Sequence, residues 1–256
     1  MAVLDSIQFE LSTVEEQIKK EFGFKALGII DITQLKMNNL DQYLLPAISL
    51  AVAKTAGSIN DIVISLSIVL QYVYMAQYIH GMVKDTEMTD AQRQYPILVG
   101  DYVFGQSFVK VCEEDLFPYA KHFVVAIKKV NEGIVRRWRL KNQKMSVKDY
   151  KSIIEKERAS LTALAARLGA EKSNIKPSHI DKFETLGYNI GMAWAASLEP
   201  KFNYLVQEYF SKIRTNINDL REHYTVKSLQ ELYDFIRQES KIEINDYLAT
   251  YRQTLL

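Results

Sequence analysis

The sequence predicts an all-α fold, on three observations. Apolar residues recur at three- and four-residue spacing through nearly the whole chain. Five prolines and ten glycines in 256 residues are too few for many short strands joined by turns. One run, IVISLSIVLQYVYMAQYIHGMV at 62–83, carries no charge and is long enough for a central helix. The expected architecture is a bundle of about eight to ten helices, more than a simple four-helix bundle holds. No repeat or low-complexity linker divides the chain, so 1–256 reads as a single domain.

The elements follow in order. LDSIQFELSTVEEQIKKEF is an amphipathic first helix with Leu4, Ile7, Leu11, Val14 and Ile18 on one face. LLPAISLAVAKTAG is the second, with Pro46 expected in its first turn and Gly57 as its stop. The uncharged run is the third, capped by Asn60 or Asp61. A polar break over 85–94 precedes a fourth, PILVGDYVFGQSFVKVC. FPYAKHFVVAIKKVNEGIVRRWRL, VKDYKSIIEKERASLTALAARLGA and SHIDKFETLGYNIGMAWAASL are strong helical patterns. PKFNYLVQEYFSKIRTNINDLREHY and VKSLQELYDFIRQES close the series.

The uncharged run could span a bilayer by length, but Ser67, Gln71, Tyr74 and Tyr78 draw a polar seam down one face, and Gln77 and His80 add groups that lipid penalises. No Lys/Arg cluster flanks it. It reads as a core helix, not a transmembrane segment.

Composition excludes some functions. With 48% hydrophobic and 25% charged residues the chain has the balance of a globular protein, and a net charge of +1 gives no field to gather nucleic acid. The basic stretch from Lys128 to Lys151 reads as the solvated face and connection of two helices. One cysteine, Cys112, rules out an internal disulfide framework, fits a reducing cytoplasm and is expected to be small and buried. The opening residues do not read as a secretory signal. The four histidines lie far apart, so His80 is expected to be structural or capping. Gly187 and Gly191, four apart, mark a helix face that another helix approaches closely.

Four stretches occur in an order that carries a resemblance: YIHGMVKD at 78–85, LVGDYVFGQSF at 98–108, YKSIIEKERASLTALAARLGA at 150–170 and FETLGYNIGMAWAASLEP at 183–200. Over roughly residues 40–200 the chain resembles the trans-polyprenyl diphosphate synthases, which implies an isoprenoid-synthase-like helical bundle. That family elongates an allylic diphosphate with isopentenyl diphosphate. Two DDxxD motifs place carboxylates on helix edges, where they hold Mg²⁺ against the departing diphosphate.

On this chain the first motif falls on Gly81, Met82, Val83, Lys84 and Asp85, with one carboxylate left and a lysine among the metal positions. The second falls on Leu198, Glu199, Pro200, Lys201 and Phe202, where only Glu199 is acidic and Pro200 disfavours helix before it. The basic G-K-R-x-R-P element maps to LDQYLLP at 40–46, with Gln42, Tyr43 and Leu45 at the basic positions, and the Lys-Thr pair falls on Glu157 and Arg158. Loss of even one preorganised electrostatic element commonly costs on the order of 10²–10³ in rate.

The resemblance therefore implies the small, motif-less subunit (component I) of a heterodimeric heptaprenyl or hexaprenyl diphosphate synthase making the prenyl tail of menaquinone. It implies no catalytic residues and no metal or cofactor in this chain alone, with Mg²⁺ in a DDxxD-bearing catalytic partner and a prenyl chain in a shared tunnel. His80, Asp85, Arg93, Asp101, Arg158 and Glu199 are the residual pocket candidates. The alternatives are an active prenyl-diphosphate enzyme of this fold with altered motifs, and a helical lipid-binding or scaffold protein derived from it.

Overall fold

The computed structural model describes residues 4–25, 37–83 and 89–254, and among these the regular structure is helical throughout. A 3₁₀ turn, Asp5–Ile7, leads into α1, Gln8–Lys25. Then come α2 (Asn39–Thr55), α3 (Asp61–His80), α4 (Asp90–Glu113) and α5 (Ala120–Arg139). The second half holds α6 (Val147–Ile154), a π-helical segment (Glu155–Ala159), α7 (Ser160–Glu171), α8 (Ile180–Ser197), α9 (Tyr204–Arg221) and α10 (Lys227–Thr254).

Local signals set the helix starts. Asn38 accepts from Asp41 N at 2.7 Å and Asn60 from Val63 N at 3.0 Å, which satisfies backbone donors that the first turn leaves open. Thr89 with Gln92, and Ser146 with Asp149, form capping boxes. Two expectations shift as a result. The Asn38 cap begins α2 at Asn39, so Pro46 lies inside the helix and not in its first turn. The Thr89 cap begins α4 at Asp90, which shortens the polar break and puts Pro96 within the helix. Gly57 does end α2, at φ 106°, a conformation that favours glycine.

Helix α3 packs along α4, α7 along α8 and α8 along α9, while α2 lies between α3 and α7 and α10 closes against α2. Ser6 ties the N-terminal turn to Glu231 of α10, its N and Oγ donating at 2.8 and 2.9 Å. Leu4, Ile7, Leu11 and Val14 are buried, as the first helix's pattern requires. Helix α3 is the one helix among the described residues long and apolar enough to cross a membrane, but 78% of its most apolar window is buried inside the protein. It is a core helix.

The paired glycines of α8 work as close-packing positions. A Cβ on Gly187 would lie 2.3 Å from the Thr162 carbonyl, and one on Gly191 would lie 2.6 Å from Ala159 Cα. Cys112 is exposed on α4, contrary to the burial expected from its size. It falls fourteen residues after Leu98 and three after Val109, on the solvent-facing side of α4.

Candidate functional site

A cleft of about 660 Å³ opens where the C-terminal end of α3 meets α5 and the π segment. Gln77, His80, Gly81 and Met82 come from α3 and the turn beyond it, Asn131, Ile134 and Arg137 from α5, and Glu157 and Arg158 from the π segment. Gly133 makes this meeting possible, because a Cβ there would stand 2.7 Å from Glu157 Cγ. With the helices so close, Arg137 reaches Glu157 as a fork: Nε donates at 2.9 Å and Nη2 at 2.7 Å. Its Nη1 donates to Glu199, 2.5 Å away, just beyond α8.

A second arginine lies deeper. Arg158 donates from Nη1 to Asp41 of α2 at 3.4 Å and to the Tyr74 hydroxyl, and Tyr74 donates in turn to Asp41. Its guanidinium lies 4.3 Å from the ring centre of buried Trp194 and 4.9 Å from that of Tyr74. Aromatic faces attract such a cation, so Arg158 is held by a carboxylate, a phenol and two rings.

The electrostatics follow from this pairing. Burial works against the Arg137 cation, yet its hydrogen bonds to Glu157 and Glu199 outweigh burial and hold its pKa above the ordinary arginine value. Burial raises the Tyr74 phenol and Asp41 adds to the rise, against a lowering by Arg158, so the hydroxyl stays protonated and able to donate. Two guanidinium groups face three carboxylates, a net charge of −1. Such a cluster does not favour a polyanionic ligand.

The described carboxylates do not fit a Mg²⁺ site either. Glu157, Glu199 and Asp41 each accept from an arginine. No three His, Cys, Asp or Glu side chains converge as ligands among the described residues.

The sequence-predicted residues separate into groups. Arg158 lines the cleft and Glu199 borders it through Arg137. Gly81 and Met82 lie on its exposed rim. His80 lines it too, but its Nε2 sits 3.3 Å from the Ile97 carbonyl and 3.2 Å from Asp101 Oδ1, and its ring presses on Gly100. It fastens the end of α3 to α4. Asp101 faces solvent with His80 as its partner. Arg93 is half-buried in the first turn of α4 and does not line the cleft. Asp85, with Lys84, lies outside the described residues. Leu198 packs against the core, and Phe202 is buried with its ring stacked on Tyr150, 3.9 Å between centres. Glu199 is extended, at φ −124° and ψ 102°, as a residue before proline should be.

Asp41, Tyr74, Arg137 and Trp194 were not marked as site residues by the sequence, and Glu157 entered only through the position of the Lys-Thr pair. Tyr74 had a signal, since it belongs to the polar seam of α3, and that seam meets Asp41: Gln71 Nε2 donates to the Asp41 carbonyl at 2.9 Å. Arg137 had none, being one arginine in a basic run.

No protein-family model and no curated protein matches the sequence. Solved structures do match the fold. A polyprenyl synthase from Caulobacter crescentus, complexed with calcium and isoprenyl diphosphate, superposes with a TM-score of 0.73 at 17% identity, over 91% of this chain and 97% of the other. The chain has the fold of the polyprenyl synthases. The geranyl diphosphate synthase small subunit from Antirrhinum majus shares that fold at TM-score 0.66 and 14% identity, covering 93% of this chain and 99% of its own. A deletion mutant of the mint heterotetrameric geranyl pyrophosphate synthase shares it at 0.67 and 13%, over 90% and 99%. Gly81 and Met82 lie at the rim of the cleft, and Glu199 borders it through Arg137.

Proposed function

We propose that this chain is the non-catalytic subunit of a heteromeric polyprenyl diphosphate synthase. The observation that carries the reading is the arginine network: Arg137 and Arg158 engage the described carboxylates of the cleft, leaving a net negative cluster where a diphosphate and its metals would have to sit. Catalysis, Mg²⁺ and the Asp-rich motifs then belong to a partner synthase chain. This subunit shapes the tunnel for the growing prenyl chain or stabilises that partner. The proposed setting is the cytoplasm and the proposed product the prenyl tail of menaquinone.

A second feature supports a protein partner. Leu98 and Val109 of α4, and Val124, Val135 and Trp138 of α5, are exposed, three of them by more than half. Leu98 and Val109, like Val124 and Val135, are eleven residues apart, close to three full turns, so each pair shares a helix face. Exposed apolar faces of this kind mark interaction surfaces. The small subunit from Antirrhinum majus and the heterotetrameric mint enzyme show that this fold occurs in subunits of assemblies.

The test is purification of the tagged chain with its native associates, followed by prenyl elongation on the eluate. A DDxxD-bearing synthase at about one-to-one stoichiometry, with Mg²⁺-dependent elongation lost on dissociation, is the expected result. Leu98→Lys with Val124→Lys should abolish that association while leaving the isolated chain's melting temperature nearly unchanged. Elongation by the isolated chain would overturn the reading.

A further inference from the structure

The corner where α5 ends and α6 begins concentrates positive charge. Residues 138–148, WRLKNQKMSVK, hold four cations and no acid. Other cations of the surrounding basic stretch are engaged within the fold: Arg136 donates to Asp149 at 2.9 Å, Arg137 to Glu157 and Glu199, and Lys151 to Glu208 at 3.1 Å. Arg139, Lys144 and Lys148 are exposed and pair with no acid among the described residues. The Arg136–Asp149 bond holds the first turn of α6 to the last turn of α5. Within the connection, Lys141 N donates to the Trp138 carbonyl at 3.2 Å and Gln143 N to that of Leu140 at 3.0 Å. The three free charges are therefore carried on one tightly turned corner.

Two features of this corner work against the chain's own stability. Lys148 lies in the first turn of α6, directly after the Ser146 cap, where the helix dipole disfavours a cation. Trp138 is 66% exposed and Val147 41%, which leaves apolar surface in water. An anionic lipid surface satisfies both. Its headgroups attract lysine and arginine, and tryptophan settles where headgroups meet acyl chains. The chain's net charge of +1 does not cancel that attraction, because charges more than about 8–10 Å away are screened at physiological salt. A nucleic acid would use the cations but leave Val147 in water.

We infer that the α5–α6 corner docks this chain on an anionic bilayer surface, with Trp138 and Val147 entering the headgroup boundary and Arg139, Lys144 and Lys148 meeting the headgroups. The inference goes beyond the proposed function and needs no partner chain. Trp138 stands fourteen residues, about 20 Å, along α5 from Val124 of the partner-facing pair. Ile134 and Arg137 line the cleft within one turn of Trp138, so the docked chain holds its cleft close to the bilayer.

The test is co-sedimentation of the full chain with phosphatidylcholine vesicles, with and without phosphatidylglycerol. Binding is expected only to the anionic vesicles. It should weaken at least about tenfold as salt rises from about 0.1 M to about 1 M and the screening length falls from about 10 Å to about 3 Å. The anionic vesicles should also move the Trp138 emission to shorter wavelength, while Trp194, already buried, adds no change. Each lysine or arginine at such a surface contributes about fivefold to partitioning. Arg139→Gln, Lys144→Gln and Lys148→Gln together should therefore weaken binding about 100-fold, and Trp138→Ala about tenfold. No binding to the anionic vesicles, or equal binding to the neutral ones, would overturn the inference. So would binding that survives the triple substitution or leaves the Trp138 emission unmoved, since the lipid contact would then lie elsewhere. Release of the vesicle-bound chain by stoichiometric single-stranded RNA would overturn it in favour of a nucleic-acid site. The wild-type comparison of the two vesicle types stands even if a variant fails to fold.

Discussion

Helices α7 and α8 meet along one continuous contact, dry where Gly187 and Gly191 face Thr162 and Ala166, charged where Trp194 and Glu199 approach the π segment. In the first region the helices touch through backbone and small side chains, with contact distances that leave no room even for a methyl group. In the second, Arg158 and Arg137 fill the space and each finds a carboxylate. The dry seam is specified by shape and has no tolerance for volume. The charged end is specified by balance: it tolerates matched exchanges of both partners and not the loss of one.

The largest expected effect tests the seam. Gly187→Leu forces its Cβ within 2.3 Å of the Thr162 carbonyl, a backbone atom that cannot turn aside. Overpacking of this severity should cost about 3 kcal/mol or more, read as a lowered urea midpoint. A variant with wild-type stability would mean that the helices separate freely, and the contrast with the charged end would fail.

The charged end should respond differently. Arg158→Met strands Asp41, which is 6% exposed, and should cost about 3 kcal/mol by the same measurement. Adding Asp41→Asn should recover at least about 1 kcal/mol of that loss, because the uncompensated charge is then removed. Strict additivity in this double-mutant cycle would show that the pair is not coupled and that the arginine is held by its aromatic stack alone.

A third variant sharpens the comparison from outside. Gly105 sits exposed on α4, and a Cβ there would meet nothing within 4 Å. Gly105→Ala should therefore raise stability by about 0.5–1 kcal/mol through helix propensity, seen as a higher thermal midpoint. Glycine is costly in a helix unless contact requires it, so opposite signs at Gly187 and Gly105 would separate the two roles.

The smallest effect is one of pH. His179 stacks on His223 with ring centres 4.7 Å apart and shares a 3.0 Å hydrogen bond with the Tyr224 hydroxyl. Burial, then the charges of His223, Lys182 and Lys176, lower its pKa below the ordinary histidine value. The unfolded chain thus takes up this proton first. Its contribution is intact above pH of about 6.5, declines as pH falls below that value and levels off beneath the lowered folded pKa. His179→Gln should flatten that part of the melting-temperature profile between neutral and mildly acidic pH.

Much of the fold was legible because it depends on local patterns. The α3 seam, the Asn60 cap, the Gly57 stop and the α8 glycine pair all need only spacing and residue type. The site was legible in part. The resemblance led to Gly81, Met82, Arg158 and Glu199, which do gather at the cleft, but not to the partners that hold the two charged groups there. Arg137 meets Glu157 and Glu199 across 20 and 62 residues of sequence, and nothing local distinguishes it from Arg136, which pairs with Asp149 on the helix that follows. Cys112 failed for a related reason. Phe108 and Val109, one turn back on α4, are apolar yet exposed, and one sequence cannot tell a core face from an interface.

The π segment bears on how this chain is lined up with any other. A π bulge holds one residue more than the α turn it replaces, and each residue advances an α-helix by about 100°. Residues 147–154 and 160–171 therefore run about 100° out of phase with the single amphipathic helix their sequence suggests. A chain with an unbroken α-helix here would match this one only across a one-residue gap inside a helix, where gaps are normally forbidden. Deleting one residue from 155–159 would close that gap, an α turn taking the place of the bulge. Tyr150 and Thr162 would keep their present contacts, at Ala195 and along the α8 glycines, because the α turn joins the two flanks in the phase they already hold.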